Sequence, residues 1–378
     1  MILQLLLALG TGDSIIAITE SAVAESSIGR WAARAAPLAT QTLVTWPHAE
    51  ESDLIIGVVV CDESAFLLTT PRVHKVFVVD LPSGRVTRSI GAAELRDPVS
   101  LTADCQAGSL YVVQVTHGVA KFKIADGSLQ RSYSTPTNFV PSPQSSVGLS
   151  KDRRLLYIGG LWPTQPLGYL KVPRSKMFDD VALGCRLSLD SGSGSPMFQP
   201  LVRGCRGDTS TCRRMVFTET FASAGGIPAK WFYAQGASPA VGVIDDAGKL
   251  SKTIGIQSAA FKTDGSEVHV GDPPEAGLAW SERNSTIVRL FAIQDGIEVV
   301  YATTKPGARP GSAITFDTFM DTISLSGKNL SVATPLPDVP LGADASGLWF
   351  VDYGPEGRRP VFTQLTLRHL VTAGGRNQ

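Results

Sequence analysis

Residues 75–91 read KVFVVDLPSGRVTRSIG and contain every element of a β-hairpin. Residues 76–79 are β-branched or aromatic, which is typical of a strand. Pro82 fixes φ within the turn, and Gly84 can adopt the positive φ that closes a tight reversal. Residues 85–90 then alternate polar and apolar side chains, as a strand with one buried face does. This stretch therefore predicts two antiparallel strands joined by a short turn.

The same order of strand, aspartate, glycine and strand occurs three more times along the chain. The three further segments are residues 120–133, 241–255 and 289–301. Gly84 and Gly127 are 43 residues apart, and Gly248 and Gly296 are 48 apart, which matches the length of a four-stranded propeller blade. Because a single blade cannot bury its own faces, blades stack into a ring. The repeats therefore predict an all-β fold, a six-bladed β-propeller, with seven blades as the alternative.

The two ends of the chain are predicted to close this ring. Residues 35–46 resemble one isolated strand before the repeats, and we expect them to pair with residues 361–369 as N-terminal and C-terminal closing strands. In the same assignment, blade five begins with a strand at Ala276, Gly296 lies in a hairpin equivalent to the opening one, and blade six covers residues 314–354. No segment predicts a helix, because glycine, proline and the period of two leave little room for one.

Length and composition favour one domain. A closed repeat fold of 378 residues can form a single unit, which we assign to residues 35–372, with residues 373–378 as a disordered tail. Lys and Arg number 34, as do Asp and Glu, so the chain has no net field that would attract nucleic acid. No run of apolar residues reaches the roughly 18 that a transmembrane helix needs, so no membrane span is predicted.

Residues 1–34 are predicted to be a signal peptide followed by an N-terminal tail. Residues 2–9 form a short apolar core, and Ala22 and Ala24 are the small residues that a signal peptidase requires before its cut. Two features argue against a signal peptide: no Lys or Arg precedes Arg30, and Asp13 interrupts the apolar stretch. The alternative is a frayed N-terminal tail or a misassigned start. On the first interpretation, the protein is exported to the periplasm or the extracellular space.

The five cysteines give a second indication of the compartment. Cys205 and Cys212 flank a short polar loop, RGDTST, and are predicted to form a disulfide if the protein is exported. Cys61, Cys105 and Cys185 lie in or beside apolar segments, where buried free thiols and disulfides fit the sequence equally well. No Cys-x-x-Cys pair or Cys/His spacing indicates zinc.

Several segments resemble the NHL-repeat and TolB-like six-bladed propellers. The best match covers residues 53–133, which include PRVHKVFVVDLPSGRVTRSIG and LTADCQAGSLYVVQVTHGVAKFKIADGSLQRSY. His74 and Lys75 match the histidine and basic residue that often precede the third strand in the NHL pattern, whereas Gly118 follows His117 in the second repeat. The resemblance implies a fold, and its motifs are structural, so it implies very little about activity.

A second resemblance is to gluconolactonase-like propellers, which bind a divalent metal in the central channel. Residues 275–280, EAGLAW, resemble their Glu-Gly-Pro-x-Trp opening, with one extra residue and without the proline. The resemblance implies Glu275 as a metal ligand. Asp53 and Asp97 also precede predicted inner strands, so the three carboxylates could converge at the channel mouth and hold a hard cation such as Ca²⁺. Aspartates that form turns are the alternative explanation.

His74 and His117 occupy equivalent positions in neighbouring blades, ten residues before Gly84 and Gly127. In a propeller this position is the connection between the second and third strands. Two imidazoles there could bind an anion or share a metal, and with Asp97 they form the candidate ligand-binding rim; the alternative is that they only cap loops. We predict that function lies on this face, because its loops are long and chemically mixed, whereas the hairpins on the opposite face are short.

The chain contains no phosphate-binding glycine loop, no serine nucleophile elbow and no HExxH motif. The sequence therefore favours a non-enzymatic extracytoplasmic propeller that presents one rim and its channel mouth to a protein or a small ligand. The alternative is a metal-dependent lactonase-like or other hydrolase acting at the channel mouth, with Glu275 and Asp97 as metal ligands.

Overall fold

The structure is a computed structural model that describes most of the chain. The described residues are 38–46, 53–70, 72–137, 139–141, 147–150, 152–163, 181–197, 220–223, 231–234, 236, 238–245, 249–264, 272–293, 296–310, 314–344, 346–353 and 362–371. The predicted signal peptide, the predicted C-terminal tail, Cys205, Cys212 and Gly248 lie outside these ranges. Among the described residues, none of the helical segments has the length and apolar character needed to cross a membrane.

The opening hairpin and its first repeat form as the sequence predicts. The first five strands are β1 (Leu38–Thr45), β2 (Ile55–Cys61), β3 (Ser64–Thr69), β4 (Val76–Asp80) and β5 (Arg85–Ile90). The next four are β6 (Pro98–Asp104), β7 (Ser109–Gln114), β8 (Gly118–Lys123) and β9 (Leu129–Tyr133). Strands β2–β5 and strands β6–β9 each pair antiparallel in chain order. Gly84 and Gly127 lie in the turns that join the third and fourth strands of these two sets.

The next two sheets contain nine strands. One has β10 (Val140–Pro141), β11 (Val147–Leu149), β12 (Leu155–Pro163), β13 (Val181–Ser188) and β14 (Gly194–Met197). Its longest strand, β12, pairs with β10, β11 and β13, and β13 pairs with β14. The other has β15 (Thr220–Ser223), β16 (Trp231–Ala234), β17 (Ala240–Ile244) and β18 (Leu250–Gly255), which pair antiparallel in chain order.

Blade five differs from its prediction, because a helix stands where its first strand was expected. The helix α1 (Pro274–Arg283) precedes β19 (Thr286–Ile293), β20 (Gly296–Thr304), β21 (Phe316–Ser324) and β22 (Asn329–Leu336). Pro274 is pre-organised for the first helical turn, and Glu275 and Arg283 complement the partial charges at the two helix ends. The predictions of a strand at Ala276 and of no helix were therefore wrong.

This helix also shifts the strand count after it. Gly296 begins β20, the second strand of the sheet, so its position is not equivalent to that of Gly84, which lies between the third and fourth strands of its blade. Residues 314–332, which were assigned to blade six, belong instead to β21 and β22, the third and fourth strands of the same sheet. The cause of the difference is the helix α1, which occupies the position of a predicted strand.

The last three strands belong to the same sheet as β1. They are β23 (Gly342–Ala343), β24 (Gly347–Asp352) and β25 (Gln364–Val371). Strand β1 pairs antiparallel with β25, from Thr40 opposite His369 to Thr45 opposite Gln364. On its other side, β1 meets β5 in parallel at one residue pair, Thr45 and Arg85. Eight strands thus form one sheet in the order β2-β3-β4-β5-β1-β25-β24-β23.

Gly84 explains how the opening hairpin accommodates β1. Its φ is +66°, and a Cβ atom at this position would lie 2.0 Å from the carbonyl oxygen of Leu43. The N–H of Thr45 donates a hydrogen bond to the Gly84 carbonyl at 3.2 Å. Only glycine combines this backbone conformation with such a close approach of a neighbouring strand.

Hydrophobic cores lie between neighbouring sheets. Residues from β3 and β4 pack against residues from β7 and β8, and β7 packs in turn against β12 and β13. Similar cores join β16–β18 to β19–β21, β20–β22 to β24, and β24–β25 to β2–β4. Tyr157 of β12 and Trp231 of β16 stack with their ring centroids 3.6 Å apart. This packing of successive sheets against each other gives an all-β, propeller-like fold, in which the four smaller sheets are blades.

A disulfide joins the first strands of two neighbouring sheets. Cys61 ends β2 and Cys105 follows β6, and their Cα atoms are 5.5 Å apart. Cys185 is a buried free thiol, and burial raises its pKa to about 12. Of the two alternatives that the sequence leaves open, Cys61 and Cys105 therefore follow the disulfide and Cys185 follows the buried free thiol.

Candidate functional site

The candidate site, the histidine rim, lies at one end of the sheets. We use this name for the β3–β4 and β7–β8 connections together with the residues just before β2 and β6. His74 lies in the first connection and His117 in the second, at the equivalent positions that the repeat predicted. Antiparallel pairing places Asp53, just before β2, and Asp97, just before β6, at the same end of their sheets as the histidines.

Asp53 is a buried member of this rim, with 0% of its surface exposed. Its carboxylate accepts the N–H of Leu54 at 2.8 Å and the N–H groups of Arg72 and Val73 at 2.6 Å each. These three bonds hold the start of β2 against the β3–β4 connection. Because backbone donors surround the carboxylate, the geometry favours the turn-forming explanation of Asp53 over a metal ligand.

Asp97 has a similar backbone bond and two further partners. Thr116 donates its N–H at 2.8 Å and its hydroxyl at 2.5 Å to Asp97 Oδ2. His117 Nδ1 lies 2.7 Å from the hydroxyl oxygen of Thr116 and 3.3 Å from Asp97 Oδ1. The side chain of His117 is 53% exposed. These three residues therefore form a hydrogen-bonded cluster at the surface.

The cluster determines which nitrogen of His117 carries a proton. Thr116 has one hydroxyl proton, and because that proton is directed at Asp97, the hydroxyl oxygen accepts from the imidazole. Both neighbours of Nδ1 are then acceptors, so Nδ1 must be the donor. In the neutral ring, Nε2 consequently keeps its lone pair, and it can accept a hydrogen bond or a proton, or bind a metal.

The charge of Asp97 supports this arrangement. Burial raises the pKa of Asp97, but the hydrogen bonds from Thr116 and the neighbouring His117 ring outweigh burial, so the pKa lies below its usual value. The side chain is therefore an anion at neutral pH. An anionic acceptor here favours the N–H donor at Nδ1 of His117.

The two histidines occupy equivalent backbone positions in different surroundings. Val73 precedes His74, whereas Thr116, whose hydroxyl lies 2.7 Å from the His117 imidazole, precedes His117. Asp53, the counterpart of Asp97, accepts N–H groups of Arg72 and Val73 in the connection that contains His74. The repeat therefore predicted where the histidines lie, whereas the cluster depends on one threonine that the repeat does not predict.

Glu275 does not share the environment of the two aspartates. It is exposed in the first turn of α1, where its charge stabilises the helix N-terminus, so it does not begin an inner strand as predicted. Within the ranges that the structure describes, no three side chains of His, Cys, Asp or Glu are grouped so that they could hold a metal ion. The expected convergence of Asp53, Asp97 and Glu275 at strand starts fails for Glu275 because a helix replaces the strand.

Comparisons with known proteins identify the fold. No protein family and no curated protein matches the sequence. A solved structure of a DUF4221-family member from Bacteroides vulgatus is similar to this chain with a TM-score of 0.60 and 9% sequence identity, over 88% of this chain and 97% of that one. At this identity the similarity shows a β-propeller-like fold alone.

Two further solved structures cover the same share of this chain at lower TM-scores. The Cps50 (Swd1) β-propeller domain of Myceliophteria thermophila has a TM-score of 0.45 and 9% identity, over 88% of this chain and 100% of that one. A catalytically inactive virginiamycin B lyase from Staphylococcus aureus, with quinupristin, has a TM-score of 0.44 and 10% identity, over 88% and 100%. The NHL-repeat or TolB-like type stays a prediction from the sequence.

Proposed function

We propose that this chain is a non-enzymatic, extracytoplasmic β-propeller that binds a protein or a small ligand at the histidine rim. The observation that carries the proposal is the cluster of Asp97, Thr116 and His117. It orients an imidazole whose side chain is 53% exposed and leaves Nε2 as an acceptor. Side chains held in this way on connections of a rigid scaffold are typical of binding sites.

Sheet topology supports six blades as part of this proposal. The eight-stranded sheet divides where β1 meets β5 through one residue pair, so β2–β5 form one blade and β1 with β23–β25 forms another. With the four smaller sheets, these make a ring of six, closed by the N-terminal and C-terminal strands within residues 35–372. Such a ring fits the NHL-repeat or TolB-like type that the sequence resembles.

The disulfide supports export. Disulfides form and persist in oxidising compartments such as the periplasm and the extracellular space, and they are rare in the cytosol. The bond between Cys61 and Cys105 is therefore consistent with the signal peptide predicted in residues 1–34. It supplies this support independently of Cys205 and Cys212.

We expect replacement of both rim histidines, H74A/H117A, to abolish ligand binding without unfolding the protein. Thermal unfolding of the wild type and the variant would be compared across one panel of polyols, amines and lactones. A ligand at about 100 times its Kd adds about 2.7 kcal/mol to the stability of the native state, which raises the Tm measurably. At least one compound should raise the Tm of the wild type and not that of H74A/H117A.

The control is K123A, because Lys123 ends β8 on the opposite face and its side chain is 51% exposed. It should retain the ligand-dependent shift. Equal ligand-dependent Tm shifts in wild type and H74A/H117A would contradict the assignment of the rim. A large loss of Tm in H74A/H117A without ligand would also contradict it, since the imidazoles would then be loop caps. Turnover of a bound lactone would contradict the non-enzymatic part of the proposal.

A further inference from the structure

A groove of about 400 Å³ lies between the sheet β6–β9 and the next sheet along the chain. Its main lining residues are Tyr111, Lys121, Arg131, Tyr133, Arg153 and Asp190. Arg153 lies in the β11–β12 turn and Asp190 in the β13–β14 turn, which are at the end of the blades opposite the histidine rim. The groove is therefore separate from the candidate site described above.

Strand register brings one aromatic and two cationic side chains into line. Tyr111 of β7 lies opposite Lys121 of β8, and Lys121 lies opposite Arg131 of β9. Residues directly opposite in antiparallel strands project from the same face of the sheet. The Lys121 ammonium lies 5.7 Å from the centroid of the Tyr111 ring. Burial raises the pKa of Tyr111 to about 12, so the phenol stays neutral beside these cations.

The Arg131 guanidinium is held in place by neutral partners. It donates to the carbonyl oxygen of Leu189 at 3.1 Å and to that of Asp190 at 3.3 Å. It also lies 4.8 Å from the centroid of the Tyr133 ring. Carbonyls and an aromatic face orient a guanidinium and leave its charge uncompensated, which suits it to bind a carboxylate or a phosphate.

The remaining charges around the groove are paired. Arg153 lies 3.2 Å from Asp104, and Arg154 lies 2.5 Å from Asp190. Among the described residues, no carboxylate forms an ion pair with Lys121 or Arg131. These two side chains therefore give the groove an excess of positive charge, although the chain as a whole has none.

We propose that this groove binds a small organic acid through its carboxylate or phosphate group, which Lys121 and Arg131 contact. The shared chemistry is a compact oxyanion: Arg131 offers the N–H groups that its two carbonyl contacts leave over, and Lys121 offers a mobile charge from the neighbouring strand. The size of the groove argues for a small molecule, because pockets of roughly 300 to 1,000 Å³ are typical of small-ligand sites.

Calorimetric titration of the full chain at low ionic strength tests this proposal, with inorganic phosphate and succinate as separate probes. We expect one or both to bind the wild type, the K121Q/R131Q variant to bind at least tenfold more weakly, and added salt to weaken binding because ions screen an exposed charge pair. Binding of one probe alone identifies the oxyanion as phosphate or carboxylate, and binding of both shows that the groove accepts either group. The charge-preserving variant K121R/R131K should recover most of the affinity.

The matched control is R85Q/K249Q, which removes two exposed cations outside the groove and makes the same change in net charge. It should bind as the wild type does. Failure of both probes to bind the wild type would overturn the proposal, as would equal weakening in the two variants, which would indicate only a diffuse charge effect. Binding restricted to a polyanion such as heparin would also overturn it. This test is independent of the histidine rim: if H74A/H117A still binds the rim ligand, the prediction for the groove is unchanged.

Discussion

We expect the double variant C61A/C105A to lose about 4 kcal/mol of unfolding free energy, because a crosslink closing a loop of this length restricts the unfolded chain by about that amount. The two cysteines are 44 residues apart in sequence. Cys61 ends the first strand of one sheet and Cys105 follows the first strand of the next, so the bond also fastens two neighbouring sheets at the ends of their first strands.

Denaturant unfolding of C61A/C105A and wild type measures this loss. The variant C205A/C212A is the matched control, since it tests the pair that the sequence predicted and leaves Cys61 and Cys105 in place. A non-reducing peptide map should contain the Cys61–Cys105 crosslink. Free thiols at both positions in exported protein, or a variant as stable as the wild type, would show that this bond does not stabilise the packing of the two sheets.

The second large effect is expected at Asp53. In D53A, the N–H groups of Leu54, Arg72 and Val73 lose their shared acceptor. A buried polar group left without a partner costs roughly 1 to 3 kcal/mol, so the variant should lose roughly 3 kcal/mol or more of unfolding free energy. Thermal and denaturant unfolding would measure the loss.

Two further variants make this prediction specific. D53N retains one oxygen acceptor, so its loss should be intermediate. D97A removes the equivalent residue of the next sheet, where the carboxylate is partly exposed and water can replace it, so its loss should be smaller than that of D53A. Losses of equal size in D53A and D97A would contradict the view that Asp53 is a buried structural cap and Asp97 a surface group.

The sheets around the opening hairpin could be predicted because their information is local. Pro82 and Gly84 specify a turn, the flanking residues specify strands, and the 43-residue spacing to Gly127 specifies the repeat. The structure has β4, β5, β8 and β9 where these signals place them. Hairpins of this kind need no information from the rest of the chain.

Blade five could have been predicted better. The sequence contains signals for both ends of this helix. Pro273, Pro274 and Glu275 are typical of a helix start, and Arg283, the tenth and last residue of the helix, is typical of a helix end. The resemblance to a metal-binding strand predicted a strand here instead. Reading these signals as a helix would have moved the first strand of this blade to Thr286. The position of Gly296 would then have followed.

The sequence spacings that predict long-range contacts are weaker, and they can be interpreted only once the blade repeat is known. The separation of Cys61 and Cys105 is 44 residues, close to the blade length of 43, so the two cysteines occupy near-equivalent positions at the ends of neighbouring first strands. In the same way, Tyr111, Lys121 and Arg131 are spaced by ten residues, which a hairpin register brings into one row. Neither signal is visible without first assigning strands to blades.

The most direct test of the histidine rim is to determine which ring nitrogen of His117 carries the proton. Long-range ¹H–¹⁵N NMR spectra of the imidazole distinguish a protonated from an unprotonated ring nitrogen. At a pH where the ring is neutral, we expect Nδ1 to carry the proton and Nε2 to be unprotonated in the wild type, and we expect T116V to lose this preference because Thr116 links the ring to Asp97. A proton on Nε2 in the wild type, or identical spectra for T116V, would contradict the cluster on which the proposed function rests.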